Sequence, residues 1–533
     1  MKYSIVFSLA VMVFSCVMGV GSASPPAAVV AESDDVEALS IFDITVASPT
    51  PIQVVLPAMS TAIAITPNAH EAWTCMGGLN SVAVVDLTTN TLISTIAIPV
   101  GFNPVDIAIT PDGTQAWVCN ESVASITVIN TANKTVSATI TGPFNSPDAV
   151  AITPDGKHAL VCNLATAQVY VIDVATHAAS VAINVGSHPD AIAVTPDGKQ
   201  AWVCNLSDST VSVIDLSTYA VSATIGVGTS PNALAIAPDN TQVWVSNNGS
   251  QTLSVIDIAS KTVIGTISLG ASLSPEGIAM TPNNTTAWEA NGVVTSVANV
   301  QAYSRSSQSL TRTVSYPSGV QLLSIAITPD QAPTAQFTAS INRGVGAFDA
   351  SASSSPYGTI ASYRWNFGDG TPVQTVTTPQ ISHTYASGGT FTVTLTVTNS
   401  QGTSTTQTFT GQTVSNNGGP SAQTSQQIVI PKSPSKFKGK PKFYHHHKKL
   451  FLKTWWTPSH SSNIMSYIIA GYNKTRATIP VKHKRSYKLR LHPHFPHHSL
   501  SKKYKRYLQH KYTIQAVNGS GASGPGTRLH VDQ

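Results

Sequence analysis

Short apolar runs separated by turn residues recur along the first 330 residues of the chain. The repeating unit is clear from Pro189 onward, where four runs rich in Val, Ile and Ala are bounded by Gly, Pro, Asn and Asp. These runs are Ala191 to Val194, Ala201 to Cys204, Val211 to Ile214 and Val221 to Ile225. Runs of this length and composition predict β-strands, so each unit predicts four short strands.

A Thr-Pro-Asp turn, or a close variant, follows the first strand of each unit. Pro196 fixes φ for a tight turn, and Gly198 accepts a positive φ. The prolines of these turns are 42 to 47 residues apart. They are Pro67, Pro111, Pro154, Pro196, Pro238, Pro282 and Pro329. Four strands in every ~40–45 residues are typical of a β-propeller blade.

The two ends of the repeat array complement each other. Residues 29–44 align without a gap onto residues 243–258, which predicts the second and third strands of a blade, and Pro51 to Leu56 predicts the fourth. At the other end, Leu322 to Ile327 supplies only a first strand. We therefore predict one blade built from both ends, which removes exposed sheet edges. With six internal blades, residues 27–330 form a seven-bladed propeller.

Two segments carry a family resemblance. Thr195 to Asn205 (TPDGKQAWVCN) and Val211 to Asp215 (VSVID) resemble the YVTN-type propeller repeat of prokaryotic surface-layer and other exported proteins. The chain has Trp-Val-Cys-Asn where the family name implies Tyr-Val-Thr-Asn, and the sixth blade, Trp288 to Pro317, departs furthest. The resemblance implies the fold and says little about function.

Residues 332–414 resemble a PKD domain, an immunoglobulin-like sandwich common in extracellular proteins. The resemblance rests on Ser362 to Gly370 (SYRWNFGDG), on Ser382 to Tyr385, and on the strictly alternating strand Gly389 to Asn399. In this interpretation Trp365 belongs to the core.

A flexible linker is predicted over residues 415–426, where Asn-Asn-Gly-Gly-Pro occurs. Residues 427–533 resemble a fibronectin type III domain, with Leu450 to Trp456 and Tyr512 to Pro525 as the matching segments. The predicted fold class is all-β: a seven-bladed β-propeller followed by two immunoglobulin-like β-sandwich domains.

Charge divides the chain sharply. Charged residues make up only 10% of it, against about 25% in ordinary soluble domains. From Lys432 onward there are 21 Lys or Arg and one acid, so the 9 other basic residues and 24 acids lie upstream. The body is therefore net −15 and the end net +20, which predicts an anionic partner for the C-terminal domain.

Residues 1–23 are predicted to be a signal peptide. Lys2 precedes the apolar run Ser4 to Val20, and the small residues Gly21 to Ser24 offer a cleavage site. The alternatives are a retained membrane anchor and a lipoprotein-type cleavage at Cys16. No later run is long and apolar enough to span a bilayer, so we expect a secreted, periplasmic or surface-associated protein.

Polar residues recur where the first strand of several units begins. Because first strands line a propeller's channel, these side chains are expected to face one another at its mouth. This predicts a site for a cation or polar ligand, whereas the alternative is that each caps a local turn. The residues are Asp106, Asp148, Asp190, Asn232 and Glu276.

Four cysteines occupy one strand position in four successive units. Equivalent positions in neighbouring blades diverge, beyond the ~7 Å Cα limit for a disulfide, so we expect small buried packing residues. They are Cys75, Cys119, Cys162 and Cys204. The recurrent tryptophans two residues earlier are also expected in the core.

The basic clusters of the C-terminal domain predict binding to anionic polysaccharide, lipopolysaccharide or another polyanion, with strong salt dependence. The alternative is a solvated face that only sets solubility. The predicted residues are Lys436, Lys438, Lys440, Lys442, Lys448, Lys449, Lys482, Lys484, Arg485, Lys488, Arg490, Lys502, Lys503, Lys505 and Arg506. Histidine tracts such as His445 to His447 suggest weak metal binding or a response to pH, but their spacing predicts no structural metal.

No convergent set of metal ligands, and no nucleophile beside a base, is visible in the sequence. We therefore predict no catalytic residues and no cofactor. The predicted function is adhesion-type binding or scaffolding of proteins or glycans at a cell surface. The alternatives are an exported propeller enzyme, either lactonase-like or similar to quinone-dependent dehydrogenases, and a structural surface-layer component.

Overall fold

The computed structural model describes residues 27–430, apart from 34–36, 100, 271, 294–296, 343 and 412–413. Beyond residue 430 it describes the backbone of seven strands. The predicted signal peptide lies outside the described residues. Within the described part of the chain, no helix has the length and apolar character needed to cross a membrane.

Seven four-stranded antiparallel sheets form the blades. Blade 1 consists of Ile63–Ile65, Glu71–Met76, Ser81–Asp86 and Thr91–Ala97. Blade 2 consists of Pro104–Ile109, Gln115–Asn120, Ser125–Asn130 and Thr135–Thr141, and blade 3 of Pro147–Ile152, His158–Asn163, Gln168–Asp173 and Ala179–Asn184. Blade 4 consists of Pro189–Val194, Gln200–Asn205, Thr210–Asp215 and Ala220–Gly226.

The remaining blades follow the same order of strands. Blade 5 consists of Pro231–Ile236, Gln242–Asn247, Thr252–Asp257 and Thr262–Ser268. Blade 6 consists of Leu273–Met280, Thr286–Val293, Val297–Ser304 and Leu310–Ser318. Short 3₁₀ helices, Gly77–Leu79, Glu121–Val123 and Leu164–Thr166, join the second and third strands of blades 1 to 3.

Blade 7 is built from both ends of the array, as predicted. Its inner strand Gln321–Ile327 pairs with Ala27–Ser33, followed by Ala38–Asp43 and Ile52–Val55. The register places Val30 opposite Ile325. The ring is therefore closed by antiparallel pairing between segments about 300 residues apart.

The Thr-Pro-Asp turn is held by its own side chains. In blade 2, Thr110 Oγ1 donates a hydrogen bond to Asp112 Oδ1 at 2.6 Å, and the amide of Gln115 donates to Thr110 Oγ1 at 3.1 Å. Gly113 has φ +72°, a value that glycine adopts without strain. These contacts explain why threonine, aspartate or asparagine, and often glycine recur in the turn.

Apolar side chains from neighbouring blades form the cores of the ring. Trp202, for example, is fully buried against Ile225 of its own blade and Val243 of the next. The four cysteines are also fully buried and free, so the prediction that they pack as small core residues is confirmed.

The middle domain is a β-sandwich. Its main sheet is ordered Gln374–Val376, Ile360–Asn366, Gly389–Asn399 and Gln423–Ile430. A second sheet contains Thr338–Asn342, Val345–Asp349 and Gln380–Thr384, and a third Asp330–Gln331, Val414–Asn417 and Thr408–Phe409. Trp365 and Phe367 are fully buried, and the core position predicted for Trp365 is confirmed.

The predicted linker over residues 415–426 is wrong. Val414–Asn417 is a strand, Pro420–Ala422 is a 3₁₀ helix, and Gln423–Ile430 pairs antiparallel with residues 389–396 of the strand Gly389–Asn399. The last strand has polar, largely exposed residues up to Gln427, so its composition is like that of a linker. A polar sequence of this kind gives no sign that it pairs as a strand with a preceding sheet, so the pairing could not be predicted.

Two further sheets follow residue 430. One is ordered Lys442–His446, Lys449–Trp455 and Ser486–Arg490. The other is ordered Lys474–Pro480, Ile464–Gly471, Tyr512–Asn518 and Thr527–Arg528. The C-terminal region is thus all-β, and its domain begins after Ile430, not at residue 427.

Candidate functional site

The five predicted residues line one cavity in the centre of the ring. Asp106, Asp148, Asp190, Asn232 and Glu276 each stand near the start of an inner strand, and all border a cavity of 290 Å³. We call this ring of five residues the channel mouth. The structure therefore brings together side chains that are 170 residues apart in sequence.

Irregular pairing accompanies the channel mouth. In blade 3 the register shifts between Pro147 and Val150, and blade 4 has a shift between Pro189 and Ala191. Bulges of this kind bend a strand and re-aim its side chains. The repeat thus turns Asp148 and Asp190 toward the cavity that they line.

Several of these polar groups also join neighbouring blades. The amide of Val150 donates to Asp106 Oδ2 at 2.8 Å, which links blades 2 and 3. Asn232 Nδ2 donates to Glu276 Oε2 at 3.1 Å, which links blades 5 and 6. Asp106, Asn232 and Glu276 thus make contacts between blades in addition to local ones, such as the hydrogen bond that Ser274 Oγ donates to Glu276 Oε1 at 2.9 Å.

Burial dominates the electrostatics of the channel mouth. It raises the pKa of Asp106 to about 7, against opposing hydrogen bonds from Val150 and Ile107 and with a further contribution from the charge of Asp190. Burial is also the main cause of the raised pKa of Asp148 and of Asp190. Carboxyls so close together cannot all ionise freely, so the cavity carries a partial, pH-dependent negative charge.

No basic side chain lines this cavity among the described residues. Nor do three or more His, Cys, Asp or Glu side chains converge, in that part of the chain, in an arrangement that would hold a metal ion.

The middle domain closes the opposite end of the cavity. Thr410, Val414 and Ser415 line it, and Val414 and Phe409 are buried in the core between blades 2 and 3. Gln407 Nε2 donates to the carbonyl oxygen of Pro111 at 3.0 Å. The middle domain therefore sits on the face that carries the Thr-Pro turns, which we call the turn face, opposite the channel mouth.

Three family models match parts of the chain. The PKD domain matches residues 330–414, and the seven-bladed β-propeller family described as Lactonase matches residues 144–321. The chain is a seven-bladed β-propeller protein with a PKD domain. A Choice-of-anchor I domain model also matches residues 17–230, which overlaps the propeller.

Solved structures with similar folds include hydrazine synthase of Kuenenia stuttgartiensis, with 24% identity, TM-score 0.38, and coverage of 40% of this chain and 66% of that one. A protein of unknown function from Desulfotomaculum acetoxidans has 24% identity and a TM-score of 0.40, and the match covers 45% of this chain and 82% of that one. The dihydro-heme d1 dehydrogenase NirN has 14% identity and a TM-score of 0.45, and the match covers 56% of this chain and 74% of that one. No curated protein matches this chain.

The predicted polyanion-binding residues are only partly described. Lys442, Lys449, Lys488 and Arg490 lie in strands of the C-terminal sheets. The other eleven lie outside the described residues: Lys436, Lys438, Lys440, Lys448, Lys482, Lys484, Arg485, Lys502, Lys503, Lys505 and Arg506.

Sequence reasoning did not find the PKD residues at the channel. Residues 407–415 of the PKD domain contain no charge and no motif, and their partners lie more than 200 residues upstream. Only the folded chain places Ser415 in the same cavity as Asp148.

Proposed function

We propose that this propeller and PKD protein is a binding and scaffolding protein of the adhesion type, exported and associated with a cell surface. Its propeller presents the channel mouth to a protein, glycan or small ligand. Its basic C-terminal domain docks on a polyanion such as an anionic polysaccharide or lipopolysaccharide.

The main observation behind this proposal is that the PKD domain covers one face of the propeller, whereas the channel mouth lies on the other. The PKD domain is anchored at the turn face through Phe409 and Val414, so that face is occupied within the chain. The channel mouth lies at the opposite ends of the same inner strands. Concave sites with a few convergent polar groups are preferred binding sites.

The charge division supports the role of the C-terminal domain. A chain with an acidic body and a C-terminal domain of net +20 would bind an anionic surface in one orientation only, with the basic end toward it. The strand orders of the two C-terminal sheets support a seven-stranded sandwich of the fibronectin type III kind.

Polyanion docking is tested with the full chain on immobilised dextran sulfate, with neutral dextran as the reference surface, over a salt series. Binding is expected to weaken steeply as salt rises, because bound counterions are released. Replacing Lys488 and Arg490 by Ser should weaken binding about tenfold at low salt, and extending the change to Lys502, Lys503, Lys505 and Arg506 should weaken it further.

A matched control is available in the propeller. Lys157 and Lys199 are well exposed, with side-chain exposures of 72% and 78%, and replacing both by Ser removes the same charge. This control should leave binding unchanged. Equal loss in both double variants, or no binding to dextran sulfate at low salt, would overturn docking by the C-terminal domain.

A second candidate function is hydrolysis, since the Lactonase model matches residues 144–321. The buried carboxyls Asp106 and Asp148 have raised pKa values, which suits a general acid or base near neutral pH. The test is turnover of γ-butyrolactone and δ-valerolactone by the full chain. Turnover that disappears in Asp148→Asn would favour the enzyme, whereas no turnover of either lactone would favour the binding protein.

A further inference from the structure

The PKD end of the channel carries a buried hydroxyl group without a partner. Ser415 is only 7% exposed and lines the cavity. Its Oγ has no hydrogen-bond partner among the residues that the structure describes. An unsatisfied buried polar group is costly, so a ligand in the cavity that reached this hydroxyl would supply the missing bond.

The channel mouth carries a second such atom. Asn232 uses its amide nitrogen to bond Glu276, and its carbonyl oxygen Oδ1 is buried without a partner in the described part of the chain. Small and aliphatic side chains line the wall between the two ends. They include Ala193, Ala235, Ile278 and Ile325.

The depth of the channel follows from the strands that form it. Asp148 and Ile152 lie four residues apart on one inner strand, and four residues of strand span about 13 Å. Gly411 of the PKD domain accepts the hydrogen bond of the Ile152 amide. A ligand that fits this channel has one polar group for the channel mouth, a short apolar body for the wall, and a second polar group for the end formed by the PKD domain.

We infer that the channel binds a small organic cation whose ammonium group lies among the carboxylates of the propeller and whose hydroxyl or amide end reaches Ser415 of the PKD domain. This inference rests on the proposed binding role of the channel mouth and adds that the site is shared between two domains. The propeller alone would hold only half of it.

Calorimetric titration of the full chain with simple amino alcohols tests this inference. The probes are ethanolamine, 4-aminobutan-1-ol and 6-aminohexan-1-ol, which bracket the depth of the channel. Butylamine and hexylamine lack the hydroxyl, and the corresponding diols lack the charge. At least one amino alcohol should bind, its amine about fivefold more weakly for want of one hydrogen bond, and its diol not measurably.

Two variants separate the ends of the site. Ser415→Ala should reduce the affinity for the amino alcohol to that for the amine, and leave the amine unchanged. Asp148→Asn combined with Asp190→Asn should weaken both about tenfold or more. Thermal unfolding of each variant checks that the fold is retained.

The outcomes are distinct from those of the docking experiment. If no amino alcohol binds to the wild-type chain, the inference is wrong. If the carboxylate variants weaken binding but Ser415→Ala does not change the preference for the hydroxyl, the ligand binds at the channel mouth alone and the shared site is wrong. Neither result affects dextran sulfate binding, which depends on residues of the C-terminal domain.

Discussion

The amide of Ile152, the last residue of an inner propeller strand, donates a hydrogen bond of 2.7 Å to the carbonyl oxygen of Gly411 in the PKD domain. Gly411 has φ +98°, and a Cβ at this position would lie 2.5 Å from the backbone nitrogen of Val194. Backbone therefore packs directly against backbone at the end of the channel. The PKD domain is joined to the propeller by a fitted contact as well as by the chain.

Replacing Gly411 by Ala should loosen this contact. The added Cβ meets the backbone at Val194, and a non-glycine residue at this φ adds strain of about 1–3 kcal/mol. We expect the Ile152 amide to exchange its hydrogen at least tenfold faster, as measured by hydrogen exchange. Propeller and PKD domain should then unfold in separate transitions.

Gly402→Ala is the matched control for that change. Gly402 also has a positive φ, +87°, but a Cβ there meets nothing within 4 Å. It should weaken the PKD domain through strain alone and leave exchange at Ile152 unchanged. Identical exchange in the two variants would contradict the fitted contact.

Stability should depend on pH through the carboxyls of the channel mouth. Their pKa values are raised in the folded chain, mainly by burial, above the value near 3.9 of an unfolded aspartate. The folded state therefore binds more protons, and its stability is full below about pH 4 for these groups and falls as pH rises through about 7, the pKa of Asp106. The groups that interact are Asp106, Asp148, Asp190, Glu276 and Glu121.

Urea unfolding between pH 5 and pH 9 measures this effect. The free energy of unfolding of the wild-type chain should decrease over that range, and Asp148→Asn should flatten the decrease because its amide does not titrate. Equal slopes in the two proteins would show that this carboxyl ionises freely in the folded state.

Trp202→Ala should destabilise the propeller strongly. The side chain is fully buried in the core between blades 4 and 5, and loss of a buried tryptophan costs about 3–5 kcal/mol. Urea unfolding followed by circular dichroism measures the loss. Val221→Ala, on the exposed face of the same blade, should cost under about 1 kcal/mol, and a similar loss in both would contradict the packing described.

Asp369 and His383 should stabilise the PKD domain as a pair. His383 Nε2 lies 2.8 Å from Asp369 Oδ2 and its ring stacks on Phe367 with centroids 4.0 Å apart. Although burial acts to raise it, the pKa of Asp369 is lowered by hydrogen bonds from Thr371 and His383. Asp369→Asn should therefore reduce stability at pH 7 by about 1–3 kcal/mol, and the difference should shrink as pH falls below about 4.

Much of the propeller could be predicted because each blade uses similar residues to hold the same turn. The Thr110 and Asp112 side chains that hold one turn have counterparts in the other turns, with asparagine at Asn68 and Asn283 and alanine at Ala237 as the variants. The spacing of these turns therefore gives the blades and their number. The closing blade was predictable because residues 29–44 keep the pattern of an internal blade.

The residues of the channel mouth could also be predicted from the repeat, whereas the residues that the PKD domain contributes to the cavity could not. Asp148 and Asp190 occupy one repeat position, whereas Ser415 lies in another domain, in a segment of ordinary strand composition. Its place in the channel follows from packing between Phe409 and the blades. Such packing depends on surface shape, which no local pattern records.

The most direct test of the account is the rate of thiol labelling of Ser415→Cys in the full chain. Cys75, Cys119, Cys162 and Cys204 are buried and burial raises their pKa values. The blank is therefore the full chain with the one other cysteine, Cys16, replaced by Ser, and the same replacement is made in every labelled variant. If the channel is a binding site reached through its carboxylate mouth, a small cationic methanethiosulfonate should react about tenfold faster than an anionic one of similar size. That preference should vanish when Asp148 and Asp190 are replaced by Asn. Equal rates for the two reagents, or a preference that survives those replacements, would contradict the account.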